Sequence, residues 1–97
     1  MLPKNERPIH PGDYIQHTYL LPRKISHKQL ADAIGMKLIS IDEVLLGQSA
    51  ITPDMAYRLA KFFNTTADFW INLQMNVDMW DTLQSHKKEY AKIKSVT

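Results

Sequence analysis

Residues 26–47, SHKQLADAIGMKLISIDEVLLG, decide the fold of this 97-residue chain. Ser26 is predicted to cap a helix, because its hydroxyl can accept one of the N–H groups that the first turn leaves unpaired. Leu30, Ala31 and Ile34 follow at helical spacing and form one apolar face. Gly35 is predicted to end this helix, because a residue without a Cβ adopts the left-handed conformation at little cost.

A second helix is predicted directly afterwards, over residues 37–46. Leu38, Ile41 and Leu45 form its inward stripe, and Gly47 ends it. Two short helices joined by a tight turn with a glycine are typical of a helix-turn-helix, whose second helix can enter the major groove of DNA. Any all-α domain contains helix pairs of this kind, so the pattern by itself leaves DNA binding and a purely structural role equally open.

Three further helices are predicted outside this pair. The first covers roughly residues 11–20 and ends at Pro22, and the fourth ends at Asn64, which can take the left-handed end position. The fifth covers about four turns and can extend to Tyr90 and Ile93. Helix starts are marked by Pro11, Thr52 with Pro53, and Thr66. The sequence therefore predicts an all-α fold of five helices with an extended C-terminal helix.

Composition indicates a single domain with a modest core, since 44% of the residues are hydrophobic. Residues 1–8 are polar and broken by prolines, and are predicted to form a flexible arm rather than a signal peptide. The chain has no cysteine, which favours a reducing cytoplasm, and no apolar run reaches membrane-spanning length. We therefore expect a cytoplasmic domain with no membrane partner.

The net charge of +2 is unevenly distributed along the chain. Residues 86–97 carry four Lys and one Glu, whereas residues 26–50 carry two Lys and three acidic residues. The segment expected to read DNA is thus net negative. This distribution weakens the electrostatic footprint that is typical of a nucleic-acid-binding protein.

Catalytic and metal-binding patterns are not found in the sequence. No two histidines are spaced i, i+4 with a Glu between them, as in a helical zinc site. Asp42 and Glu43 are adjacent and point to different sides of a helix, and no nucleophile is matched to an assisting base. The four histidines, His10, His17, His27 and His86, are too far apart in the sequence for such a site. We therefore expect no enzyme activity, no catalytic residue, no metal and no cofactor.

Four segments together resemble the HigA/VapI-type antitoxins, which are Xre-like helix-turn-helix proteins. They are, in order, IHPGD at residues 9–13, QLADAIG at 29–35, ITPDMAYRLA at 51–60 and FWINLQ at 69–74. The first and last segments are the specific ones, and the likeness covers roughly residues 8–80. The resemblance implies a lambda-repressor-like fold in a cytoplasmic bacterial dimer. It further implies neutralisation of a RelE-like (HigB-type) toxin that cleaves mRNA, and repression of the chain's own operon at a palindromic operator.

The sequence departs from the family pattern in and around the second helix of the motif. Ser40 stands at the common Arg position, and Asp42 stands where Asn is frequent. Gln48 and Ser49 replace a basic pair, and His27 takes a position where related domains often have Gln. These departures bear on the operator sequence and on DNA affinity rather than on the fold.

DNA contacts are predicted from the helix at residues 37–46, placed in the major groove with Lys37 at its start. Ser40 can hydrogen-bond a base edge, Ile39 can contact a thymine methyl group, and Asp42 can accept a hydrogen bond from cytosine. Phosphate contacts fix position without specifying sequence. The phosphate candidates are Arg23, Lys24, His27, Lys28, Gln48 and Ser49.

An alternative is a toxin-binding protein module with a degenerate helix-turn-helix that does not bind DNA. The net negative charge of residues 26–50 favours it. Ile39 and Leu46 favour it too if they are exposed, because an apolar surface suits a protein partner better than a phosphate-lined groove.

A homodimer is predicted because one helix-turn-helix of this size covers one half-site, and half-sites lie roughly 34–36 Å apart. The fifth helix has more apolar residues than one small core needs. The residues assigned to the core are Phe69, Leu73, Val77 and Trp80. The residues assigned to the twofold interface are Trp70, Met75, Met79, Trp80 and Leu83. The competing interpretation is that this helix packs within one protomer and its methionines fill gaps.

Overall fold

The computed structural model describes residues 6–97, which form five helices and no strand. The predicted all-α fold of five helices is confirmed. Residues 1–5 of the predicted arm lie outside the described residues. Within the remainder of that arm, Nε and Nη2 of Arg7 donate to Oδ1 and Oδ2 of Asp81, each at 2.8 Å. No helix of the described chain is both long enough and apolar enough to cross a membrane.

The first helix, α1, covers residues 11–23 in three continuous segments. Its bounds are Pro11–Tyr14 as α-helix, Ile15–Leu20 as π-helix and Leu21–Arg23 as α-helix. At its start, Nδ1 of His10 accepts a hydrogen bond of 2.9 Å from the backbone N–H of Gly12. The ring therefore caps the helix by satisfying an N–H that has no partner within the helix.

The prediction that Pro22 ends this helix is wrong, because a π-helical stretch precedes it. The N–H of Leu21 donates to the carbonyl of Gln16, five residues earlier, which is the wide-turn pattern. Proline has no N–H for the carbonyl of Thr18, four residues before it. Nη1 of Arg23 donates to that carbonyl instead, at 3.1 Å. The helix therefore passes through Pro22 and ends at Lys24, whose φ is 55°.

The helix-turn-helix consists of α2, His27–Ile34, and α3, Leu38–Leu45. The predicted cap at Ser26 is confirmed: its Oγ accepts from the N–H of Gln29 at 3.0 Å, and Oε1 of Gln29 accepts from the N–H of Ser26 at 2.7 Å. Gly35 ends α2 with a φ of 72°. Both ends of α2 thus lie where the sequence predicts them.

The last two helices are α4, Pro53–Phe63, and α5, Ala67–Tyr90. Thr52 and Thr66 cap their starts, and Asn64 ends α4 with a φ of 57°, all as predicted. The 24 residues of α5 give a rod of about 36 Å. Its first half packs against α4, whereas residues 82–90 are all exposed.

Trp70 is the largest fully buried side chain and lies at the centre of an aromatic cluster. Its ring centroid lies 5.0 Å from that of Phe69 and 5.9 Å from those of Tyr14 and Phe63. Its Nε1 donates to Oγ1 of Thr65 at 2.7 Å. The assignment of Trp70 to a dimer interface is therefore wrong, because its ring holds α5 against α1 and α4 inside one protomer.

Gly12 brings the first turn of α1 against the end of α3. A Cβ at this position would lie 2.9 Å from Cα of Leu45 and would overlap the carbonyl of Val44. Next to this contact, the ring of His10 is packed against Gly47, where a Cβ would lie 3.7 Å from Nε2 of His10. The end of α3 is therefore fixed by backbone contact with the start of α1.

The cap at His10 predicts that stability falls in mild acid. Burial, followed by the positive charge of Arg7, lowers the pKa of His10, and a protonated Nδ1 cannot accept from Gly12. Because the pKa is lower in the folded state, the unfolded chain binds the proton first as pH falls through the ordinary histidine range. We expect the free energy of unfolding in urea to drop between about pH 7 and pH 5.

The matched control is His10→Asn, since Asn caps helices without titrating. This variant should lose less stability than the wild type over the same pH range. Parallel pH profiles for the two proteins would contradict the assignment to His10.

Candidate nucleic-acid interface

The outward face of α3 combines exposed aliphatic side chains with the carboxylates of Asp42 and Glu43. Ile41 and Val44 are buried on the inward side of this helix. On the other side Leu38, Ile39 and Leu46 are 41%, 65% and 71% exposed. Ile39 and Leu46 thus meet the condition, stated from the sequence, under which they favour a protein partner. The inward position predicted for Leu38 is wrong, because it is the first residue of α3 and much of its side chain remains open to solvent.

Ser40 lies at the flank of this face rather than at its centre. It is half-buried and lines a shallow depression of about 190 Å³ together with Glu43, Met36 and Met55. The depression separates α3 from the start of α4. A contact from Ser40 to a base edge therefore requires that the base approach this flank.

His27 connects three helices at the interface. Its Nδ1 lies 2.9 Å from Oδ1 of Asp42, and its Nε2 lies 3.1 Å from Oε1 of Gln16. Gln16 belongs to α1, His27 to α2 and Asp42 to α3. Two residues predicted as separate DNA contacts are thus brought together, and each has a polar atom already occupied by the other.

The predicted phosphate-binding residues lie in the turns around the two helices. Arg23 is held by Thr18 and lies with its guanidinium carbon 5.3 Å from the ring centroid of Tyr19. Lys28 pairs with Asp32 at 3.3 Å and remains largely exposed. The other exposed members of the set are Lys24 and Gln48, whereas Ser49 is half-buried. Lys37, predicted at the start of the recognition helix, is exposed as well. The N–H groups of Gln48 and Ser49 donate to the carbonyl of Glu43, which ties this turn to α3.

Arg58 supports the interface from α4, and sequence reasoning missed it. Its Nη1 donates to the carbonyls of Ile34 and Gly35 at 2.7 and 3.3 Å, while its Nε donates to Asp54 at 2.9 Å. These bonds satisfy carbonyls at the end of α2 that the helix leaves unpaired. The only signal in the sequence is the position of Arg58 within the antitoxin-like segment at residues 51–60.

Gln74 has a similar supporting role and was also missed. It is buried, its Oε1 accepts from the N–H of Ile51 at 2.9 Å, and its Nε2 donates to Asp78 at 3.0 Å. The bond holds the loop after α3 against α5. Gln74 ends the antitoxin-like segment FWINLQ, so that motif is explained by packing. No group of three or more His, Asp or Glu residues within residues 6–97 is arranged to hold a metal ion.

Comparison with known proteins decides the family. A helix-turn-helix family model matches residues 17–70, more than half of the chain. Antitoxin HigA-1 of Vibrio cholerae serotype O1 is 32% identical over 83 residues, which cover 86% of this chain and 78% of that protein. The chain belongs to the Xre-like helix-turn-helix family that includes the HigA antitoxins. The resemblance drawn from the sequence is therefore confirmed.

Two further comparisons extend this result. YbaQ of Escherichia coli (strain K12), an uncharacterized HTH-type transcriptional regulator, is 39% identical over 75 residues. The match covers 77% of this chain and 66% of YbaQ, slightly less than two thirds of that protein. Pseudomonas aeruginosa antitoxin HigA, solved with the higBA promoter, superposes with a TM-score of 0.89 at 32% identity. This match covers 94% of this chain and 100% of the solved chain, so the fold is shared along almost the whole sequence.

The contact between His27 and Asp42 predicts a measurable coupling in a double-mutant cycle. We expect His27→Ala and Asp42→Ala to be coupled by about 0.5–1 kcal/mol in urea unfolding, because the pair is half-exposed and well aligned. The control cycle uses Lys28 and Asp32, an exposed i, i+4 pair that should give about 0.3 kcal/mol. A coupling no larger than the control would contradict a bracing role for His27.

Proposed function

We propose that the chain is a HigA-type antitoxin that represses its own operon as a homodimer bound to a palindromic operator. In the same proposal it binds and neutralises a RelE-like, HigB-type toxin in the cytoplasm and has no catalytic activity of its own. The observation that carries the proposal is a helix-turn-helix whose second helix keeps an outward face free of the protein core. The similarity to an antitoxin solved with its promoter supports the DNA partner.

The charges around α3 support weak, salt-sensitive DNA binding that needs both protomers. Each protomer contributes four lysine or arginine residues near the motif, and no lysine or arginine lies within α3 itself. Each phosphate neutralised on duplex DNA contributes roughly −0.9 to the slope of log affinity against log salt. A dimer with eight such contacts would therefore have a slope of about −7. The four residues are Arg23, Lys24, Lys28 and Lys37.

A stripe on α5 supports the homodimer. Met75, Met79 and Leu83 recur every fourth residue and are 53%, 55% and 44% exposed. Trp80 lies beside them, half-buried, with its Nε1 enclosed and without a hydrogen-bond partner among the described residues. Methionine and aromatic residues are enriched at interface cores, and a twofold axis brings one such stripe against its copy. The remaining proposed interface residues are thus Met75, Met79, Trp80 and Leu83.

A second candidate is a toxin-binding module that does not bind DNA. The exposure of Ile39 and Leu46 beside the acidic Glu43 favours it, since apolar contacts also serve protein partners. The two candidates differ in one observable, the formation of a complex with DNA upstream of the chain's own gene.

The proposed repressor predicts a mobility shift on that upstream DNA at low salt. With a slope of about −7, a rise from about 50 to about 200 mM salt should lower the affinity by about ten-thousandfold. Lys24→Ala should reduce the salt slope by about two, one contact per protomer, whereas Lys61→Ala on α4 should leave it unchanged. A folded dimer that shifts no DNA at any salt would contradict the repressor and favour the second candidate.

The proposed dimer predicts that Leu83→Asp makes the protein monomeric. A charge at the end of the apolar stripe opposes pairing, while the exposed position keeps the helix intact. Sedimentation at about 50 µM should give a dimer for the wild type and a monomer for Leu83→Asp. The control is Ser85→Asp on the opposite side of α5, which should stay dimeric. A wild-type monomer at this concentration would contradict the proposal.

A further inference from the structure

We propose that the outward face of α3 reads the methyl groups of thymines in each operator half-site. The proposal rests on the proposed repressor function and names the feature of the DNA that this helix recognises. The reading residues are Leu38, Ile39 and Leu46, with Ile39 nearest the centre of the face.

Ile39 and Leu46, the residue that follows α3, lie on one side of this short helix with the half-buried Asp42 and Glu43 between them, whereas Leu38 lies about a quarter turn away. Ile39 and Leu46 are seven residues apart, which places them almost in line along the helix, and Leu38 precedes Ile39 at the first turn. Single exposed aliphatic residues are common on protein surfaces and need no explanation. Leu38 and Ile39, however, are exposed at the first turn of α3, and in this motif the N-terminal residues of the second helix are the ones that contact base edges.

Side chains that usually read bases by paired hydrogen bonds do not occur in α3. The helix, LISIDEVL, contains no Arg, Lys, Asn or Gln, and these residues make the bidentate contacts to guanine and adenine. Asp42 is occupied by His27, and Ser40 and Glu43 lie half-buried along the depression beside α4. Apolar contact is therefore the principal means by which this helix can distinguish one base from another.

The major groove presents one apolar group, the C5-methyl of thymine. Contact between that methyl and an exposed isoleucine or leucine removes apolar surface from water on both partners, which corresponds to about fourfold in affinity for each buried methyl. The position of this face favours DNA as its occupant, because Leu38 and Ile39 lie at the start of a helix that enters the major groove in this motif. Lys37 next to them carries an exposed positive charge that complements phosphate. Lys28 is paired with Asp32, and the carboxylates of Asp42 and Glu43 lie on the same side of α3, so the cationic contribution is small.

The experiment compares two forms of the DNA upstream of the chain's own gene, one amplified with thymidine and one with deoxyuridine triphosphate. Deoxyuridine differs from thymidine in the C5-methyl group alone. At about 50 mM salt the wild-type dimer should bind the uracil duplex roughly tenfold more weakly, since each half-site loses its methyl contacts. Ile39→Ala should bind the thymine duplex more weakly and retain a preference below about threefold.

The matched control is Ile93→Ala, which truncates an exposed isoleucine outside α3 and should behave as the wild type. Circular dichroism checks that each variant is folded. A wild type that binds both duplexes equally overturns the methyl reading and leaves the repressor intact. A full thymine preference in Ile39→Ala and Leu46→Ala overturns the assignment to this face. If the chain binds its toxin but neither duplex, the proposed repressor function is contradicted as well, and the outward face of α3 is assigned to a protein partner.

Discussion

The close approach of α1 to the end of α3 at Gly12 is the constraint on which the position of the helix-turn-helix depends. No side chain separates the two backbones there, because a Cβ would meet the carbonyl of Val44 and Cα of Leu45. A second connection lies at the other side of the motif, where His27 joins Gln16 of α1 to Asp42 of α3. α1 therefore braces α3 at two points, in addition to the packing of α2 that defines the motif.

This bracing is necessary because α3 is too short to be stable alone. An isolated helix of eight residues is marginal in water, and α3 has only Ile41 and Val44 fully inside. Its geometry must come from its neighbours. Arg58 fixes the end of α2 from α4, and Trp70 fixes α1 against α5, so the core and the interface depend on the same contacts. A change at Trp70 would therefore be transmitted to α3 through α1, with no DNA contact altered directly.

The sequence predicts those features of the fold that depend on a few neighbouring residues. The caps at Ser26, Thr52 and Thr66 are local, since a hydroxyl and an N–H three residues later form each one. The prediction that the helix ends at Pro22 is wrong because a π-helical stretch precedes the proline and the side chain of Arg23 donates to the carbonyl of Thr18. The assignment of Trp70 to the dimer interface is wrong because helical spacing indicates which residues share a face, but not which neighbouring element packs against that face. The pair His27 and Asp42 is separated by 15 residues, so its contact depends on how the two helices cross.

The two surfaces proposed for binding lie on different helices, and this separation affects how weak contacts can add up to useful affinity. The stripe on α5 is the surface proposed for a second copy, whereas the face of α3 is the surface proposed for DNA. A recognition face with few flanking cations gives little affinity for a single half-site. Pairing through α5 makes the second half-site contact intramolecular, which raises overall affinity without any new contact. Methyl reading by α3 and pairing by α5 are therefore linked: the recognition face can work as an operator reader because a separate surface holds two copies together.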